Sequence, residues 1–187
     1  MRLPRGHAEI ALLWILLAIY AAARVTQAFP DRIPVLLIAA LHVLPALFFA
    51  LIHGSIAYRV RGILVFVLLC LLWGNLSETL SLRTGFPFGR YHFTGVMGPK
   101  LFQVPVLLGL AYIGIGYVSW TLARLIVRDN GIVTVPSLAA LIMVGWDLSM
   151  DPVWSNLGHA WVWHEGGLYF GVPAEQLLWL VSDGISD

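Results

Sequence analysis

Charge is scarce in this chain, and sulfur chemistry is nearly absent. Of 187 residues only 11% are Asp, Glu, Lys or Arg, while 59% are hydrophobic and the mean hydropathy is +0.84. A soluble domain has about a quarter of its residues charged, so that class is excluded. The single cysteine, Cys70, sits inside an apolar run. Alone it forms no intrachain disulfide and carries no metal signature. Lys and Arg stop at Arg128, and the eleven up to and including it are scattered, which argues against a nucleic-acid partner. No phosphate loop, dinucleotide fingerprint or nucleophile elbow is present, so nucleotide and acyl-transfer chemistry have no foothold. His159, His164 and Glu165 match no standard zinc or di-iron spacing, and no metal or other cofactor is expected.

Long apolar runs take the place of what is missing. At about 20 residues per crossing the length allows about five to seven spans and no sizeable soluble domain. The runs are continuous, where a membrane β-barrel would alternate. The expected fold is one membrane-embedded domain, 1–187: an all-α integral membrane protein, a bundle of about five to six transmembrane helices, multi-pass in the cell membrane. Spans are read at 10–23, 33–58, 62–82, 101–127 and 136–150 with its flanks; 177–181 is apolar but too short to cross. The basic residues ahead of the first run resemble a signal peptide, although the further spans favour an uncleaved helix. Pro45 interrupts the second span, and Arg59 and Arg61 mark a tight turn into the third. His42 and His53 share one helical face and read as buried, hydrogen-bonded histidines rather than haem ligands.

The most informative stretch is 145–173, GWDLSMDPVWSNLGHAWVWHEGGLYFGVP. It holds Asp147, Asp151 and Glu165, two histidines, four of the eight tryptophans, and no Lys or Arg. Carboxyl groups at the edge of hydrocarbon are costly, so each needs a partner, a proton or a function. The net charge of +1 conceals a split, with all basic residues in 1–128 and seven acids in 129–187. Either those acids are loop charges or they meet cations from earlier loops. With five crossings, the aromatic loop 83–100 and the segment after the fifth span emerge on one face, so they can meet. Counting Lys and Arg on the two faces leaves the orientation nearly balanced; if Arg83, Arg90 and Lys100 are functional, the N-terminus is cytoplasmic.

Glu78, Asp147 and Asp151 are the candidate catalytic groups. Asp147 and Asp151 are four apart, so a continuing helix stacks them on one face until Pro152 breaks it. Two carboxyl groups crowded into a poorly hydrated site retain a proton, and a retained proton beside a bare carboxylate suits general acid–base work. The plainer alternative pairs Glu78 with Arg83 and uses Asp151 as a cap. The aromatic residues of 86–93 and 146–163 line either an apolar slot or an interfacial belt.

NLSE at 75–78, RTGFPFGRYHFTGVMGPK at 83–100, VP at 104–105, WDLSMDPVW at 146–154 and GLYFGVP at 167–173 resemble the carotenoid 1,2-hydratases of myxol- and bacterioruberin-type pathways. The resemblance spans roughly 60–173. It implies addition of water across the terminal double bond of an acyclic ψ end group to give a tertiary alcohol, with no redox cofactor or metal. Protonation of the alkene gives a tertiary cation, which water captures. The expected roles are a proton donor at Asp147 or Asp151 and a water-orienting carboxylate at Glu78. Phe86, Phe88, Arg90, Tyr91, Lys100, Trp146, Trp154, Trp161 and Tyr169 are expected to bind a lycopene-like carotenoid. The bilayer and other carotenoid-pathway membrane enzymes are the expected partners. Members of the family continue past GVP into a further span, whereas this chain reads AEQLLWLVSDGISD, so a shortened C-terminus is expected. End-group cyclisation, which begins with the same protonation, and a non-catalytic carotenoid-binding scaffold remain alternatives. A small transporter is a remoter one, since no inverted repeat is visible.

Overall fold

The computed structural model describes residues 6–127, 131–166 and 171. Four α-helices dominate the described residues: α1 His7–Thr26, α2 Val35–Thr84, α3 Val106–Ile126 and α4 Thr134–Pro152. A π-helical turn, Val153–Leu157, prolongs α4.

α2 is not one rod. Its 50 residues would measure about 75 Å if straight, more than twice the ~30 Å hydrocarbon core. Arg59 interrupts it with non-helical angles, φ 64° and ψ 162°, and the chain doubles back. A Cβ on Gly54 would lie 2.5 Å from the Ile63 side chain, although nine residues of continuous helix would separate them by about 14 Å. The halves 35–58 and 60–84 thus form a hairpin at the turn expected from Arg59 and Arg61. Tyr117 of α3 wedges against both halves, its ring 5.9–6.5 Å from those of Phe49, Tyr58 and Phe66. Its hydroxyl lies 2.7 Å from His53 Nδ1. α1 packs on α2 and α4 packs on α3. Arg24 ties α1 to α4 by donating to Met150 Sδ and lying 5.7 Å over the Trp146 ring.

α1, α2 and α3 are long and apolar enough to cross a membrane. Trp14, Leu68, Leu72, Trp73 and Leu125 project outward, as a lipid-facing surface requires. Among the described residues three such helices, rather than five or six, meet that measure. The hairpin accounts for the second and third expected spans within α2. α4 falls short because Asp147, Ser149 and Asp151 occupy its C-terminal half. The apolar segment 177–181 lies outside the described residues.

The connections depart from an all-α fold. Pro87, Pro99 and Pro105 prevent the segment after α2 from continuing as helix, so its backbone groups pair in short ladders instead. β1 Tyr91–Phe93 runs antiparallel to β4 Trp161–Trp163, with Tyr91 opposite Trp163 and Phe93 opposite Trp161. β2 Lys100–Leu101 pairs with β3 Val104–Pro105. The loop after α2 and the segment after α4 therefore meet, as the sequence reading allowed. Alternation along β1 turns Tyr91 and Phe93 inward and His92 outward. Lys100 Nζ donates to the Phe93 carbonyl at 2.6 Å and holds the loop against this ribbon.

Candidate functional site

Glu78 lies one and a half turns before the end of α2 and is 5% exposed. Buried carboxylates need donors, and two arrive from different elements. Tyr91 on β1 donates to Oε2, and Tyr112 on α3 donates to Oε1. Tyr112 reaches Glu78 because Gly74 makes room for its ring: a Cβ there would lie 2.6 Å from Tyr112 Cδ2. Burial first, and then the adjoining Glu78, holds the Tyr91 phenol above its ordinary range, so it remains a protonated donor. The simpler pairing of Glu78 with Arg83 is thus replaced by two hydroxyls.

Asp147 and Asp151 stack on one face of α4, and the helix runs to Pro152 before passing into the π-helical turn. Pro152 therefore does not disrupt their spacing. The Asp151 carbonyl accepts from Ser155 Oγ at 2.7 Å. Asp147 lies within electrostatic reach of both Asp151 and Glu78. The charged neighbours of Asp147 are thus two carboxyl groups, which fits neither a solvated loop charge nor a partner of cations from earlier loops.

All three carboxyl groups line one partly open cavity, with about 960 Å³ of empty space including the solvent at its mouth. Its other walls are mainly apolar or aromatic. Of the expected binding residues, Phe88, Tyr91, Trp146, Trp154 and Trp161 line it. Phe86, Arg90 and Lys100 are exposed and are not among its lining residues. Lys100 serves the ribbon instead, and the Arg90 carbonyl accepts from the His164 backbone at 2.8 Å. Tyr169 lies outside the described residues.

The structure adds residues that sequence reasoning did not select, above all Tyr112. It sits in LLGLAYIGIGY with no motif around it; the available signal was a phenol in mid-span that needs a polar partner. His42 has a wall position beyond its expected structural role. Its Nδ1 is 2.7 Å from the Ile38 carbonyl, which only accepts. In the neutral ring the proton is therefore on Nδ1, leaving Nε2 as a lone pair. His42 Nε2, Trp161 Nε1 and Trp163 Nε1 are buried polar atoms of this wall with no hydrogen-bond partner among the described residues. Such atoms are rare in folded chains and call for a ligand or water.

A second cavity, of about 600 Å³, adjoins the first between the helices. The two share Tyr20, Ala46, Ile115 and Trp146. The second is almost wholly apolar and continues along α3 through Val118 to Leu122.

Comparisons with curated proteins and with solved structures find no match to this chain. The model of one protein family, described as carotenoid biosynthesis protein, matches residues 33–186, a range that includes both halves of α2, the ribbon and every carboxyl group of the cavity. A greasy intramembrane cavity with acids on its wall is apt for such a pathway, and the chain belongs to the carotenoid biosynthesis protein family.

Proposed function

We propose that the protein hydrates the terminal double bond of an acyclic carotenoid end group by acid–base catalysis. The observation that carries the reading is the set of three carboxyl groups on the wall of one apolar cavity, one of them held by two tyrosines. An alkene offers no polar handle, so a protein acting on it needs a strong local acid, a stabiliser for the cation and an acceptor for water's proton.

Asp147 and Asp151 together supply the acid. Three carboxyl groups this close in a poorly hydrated cavity hold at least one proton among them. That proton goes to the less substituted alkene carbon and leaves a tertiary cation. The faces of Trp146, Trp154 and Tyr91 and the remaining carboxylates stabilise the positive charge. Water adds to the cation. Its extra proton passes to Glu78 through one of the tyrosine hydroxyls and from there back to the aspartate pair, so alkene plus water gives alcohol with the groups restored. The indole N–H groups of Trp161 and Trp163 and the lone pair of His42 give the incoming water donors and an acceptor that the described residues leave unused.

The test is expression in cells that make lycopene, followed by mass analysis of the extracted pigment. The expected result is a gain of one water, lost in Asp147→Asn at equal protein content in the membrane. An isomer of unchanged mass but shifted retention would favour cyclisation, and unaltered pigment would overturn both reactions on lycopene.

A further inference from the structure

We propose that the second cavity seats the polyene arm of the substrate, so that one extended chain lies across both cavities with its end group at the carboxyl groups. The proposal rests on the carotenoid part of the reading above and not on hydration as such.

The two cavities share four wall residues, so they lie side by side along α3, and an extended chain that turns the shared side chains aside reaches from one into the other. Their chemistry differs in the way an end-group reaction requires. Glu78, Asp147 and Asp151 all line the first, whereas the second offers Leu16, Phe49, Val118, Leu122 and Ile142. A conjugated hydrocarbon buries well against such a wall, and a polar substituent would be left unsatisfied.

The length of the slot follows from α3, whose lining residues run from Leu108 in the first cavity to Leu122 in the second. At 1.5 Å per residue this is about 21 Å, roughly two-thirds of the ~30 Å hydrocarbon core. The first cavity lies beside the β1–β4 ribbon, through Phe93 and Trp161, and the second lies toward the other end of α3. The reacting end is thus held at the membrane face that carries the ribbon, and the chain points down into the bilayer. A chain as long as the bilayer is thick extends beyond Leu122, so its far end is not read by the slot. Specificity is set by an unobstructed, extended arm over the first ~21 Å from the reacting carbon.

Cys70 is the only cysteine, which makes a site-directed labelling test clean. A Cys70→Ala chain carries either Val118→Cys, in the slot, or Leu125→Cys, which is on the outer surface of α3 and 69% exposed in the native residue. Each is purified from lycopene-making cells and from pigment-free cells, bound lycopene is measured by absorbance, and alkylation by a membrane-permeant maleimide is timed. The expected result is at least tenfold slower alkylation at position 118 when lycopene is bound, with less than a twofold change at 125. Bound lycopene with equal labelling at 118 overturns the proposal while leaving hydration standing. Equal protection at 118 with and without pigment assigns the cavity to lipid and also overturns it. Protection at 118 by lycopene that emerges unhydrated supports the proposal and sinks the hydration reading. Absence of any bound carotenoid, hydrated or not, overturns the proposal and leaves hydration to the pigment assay.

Discussion

Glu78 allows the sharpest quantitative test, through the two tyrosines that hold it. Tyr112→Phe and Tyr91→Phe each delete one hydroxyl donor to a carboxylate that is 5% exposed. Both retain the ring, so Tyr91→Phe keeps its contacts with Phe93 at 5.3 Å and Trp163 at 4.9 Å. A hydrogen bond to a charged group contributes about 1.5–3 kcal/mol, against about 0.5–1.5 kcal/mol for a neutral pair. Each single change should therefore destabilise the chain by about 1.5–3 kcal/mol, and by only about 0.5–1.5 kcal/mol in a Glu78→Gln background. The difference is a coupling of roughly 1 kcal/mol, large enough for a double-mutant cycle to resolve. If the same bonds hold Glu78 in the transition state, hydration falls by roughly 10- to 100-fold in each single variant. Equilibrium unfolding of purified protein reads the coupling, and the ratio of hydrated to unhydrated pigment at matched membrane content reads the rate. Wild-type stability and hydration in Tyr112→Phe would refute the assignment of the tyrosines as its donors, and equal penalties with and without Glu78 would show that the bonds are made to a neutral carboxyl group.

Two further outcomes follow from the same wall. Gly74→Ala places a methyl where Tyr112 now packs, 2.6 Å from Cδ2, so the ring must shift from Glu78; hydration should fall about tenfold, approaching Tyr112→Phe, and unchanged pigment ratios would mean the ring gives way without releasing Glu78. His42→Leu removes a buried lone pair that has no partner among the described residues, and such an orphan costs about 1–3 kcal/mol. It also removes the Nδ1 bond to the Ile38 carbonyl, worth about 0.5–1.5 kcal/mol, so its unfolding midpoint should stay near or above wild type while hydration drops at least tenfold; a loss of stability well beyond that bond would show that Nε2 is engaged in the native protein.

Much of this protein was legible along the chain because hydrocarbon imposes strict local rules. Long uncharged runs forced helices, and the basic, Gly-containing break at Arg59–Gly62 forced a turn between two of them. Acids at membrane depth had to have partners or work, which drew attention to Glu78, Asp147 and Asp151. Parity then predicted that two aromatic stretches share a face, and β1 and β4 pair there. Other features were not local. Lys100 and Arg90 looked like binding residues because they are rare charges in an aromatic loop, yet each is exposed and the loop spends Lys100 on the Phe93 carbonyl. The strands were hidden because three-residue pairings depend on where distant segments land. Tyr112 escaped notice because its partner is 34 positions away, and no spacing rule connects residues on different helices.

Sequence by itself determined the membrane class, the order of the apolar runs and the identity of the acids, because each follows from the cost of placing a given side chain in lipid. Tertiary structure alone decided which hydroxyls satisfy Glu78, which aromatics face the acids and which face outward, and that two cavities adjoin between the helices. Those are consequences of helix rotation and approach. Packing at positions such as Gly74 and Tyr117 fixes them, and the linear order of residues does not encode them.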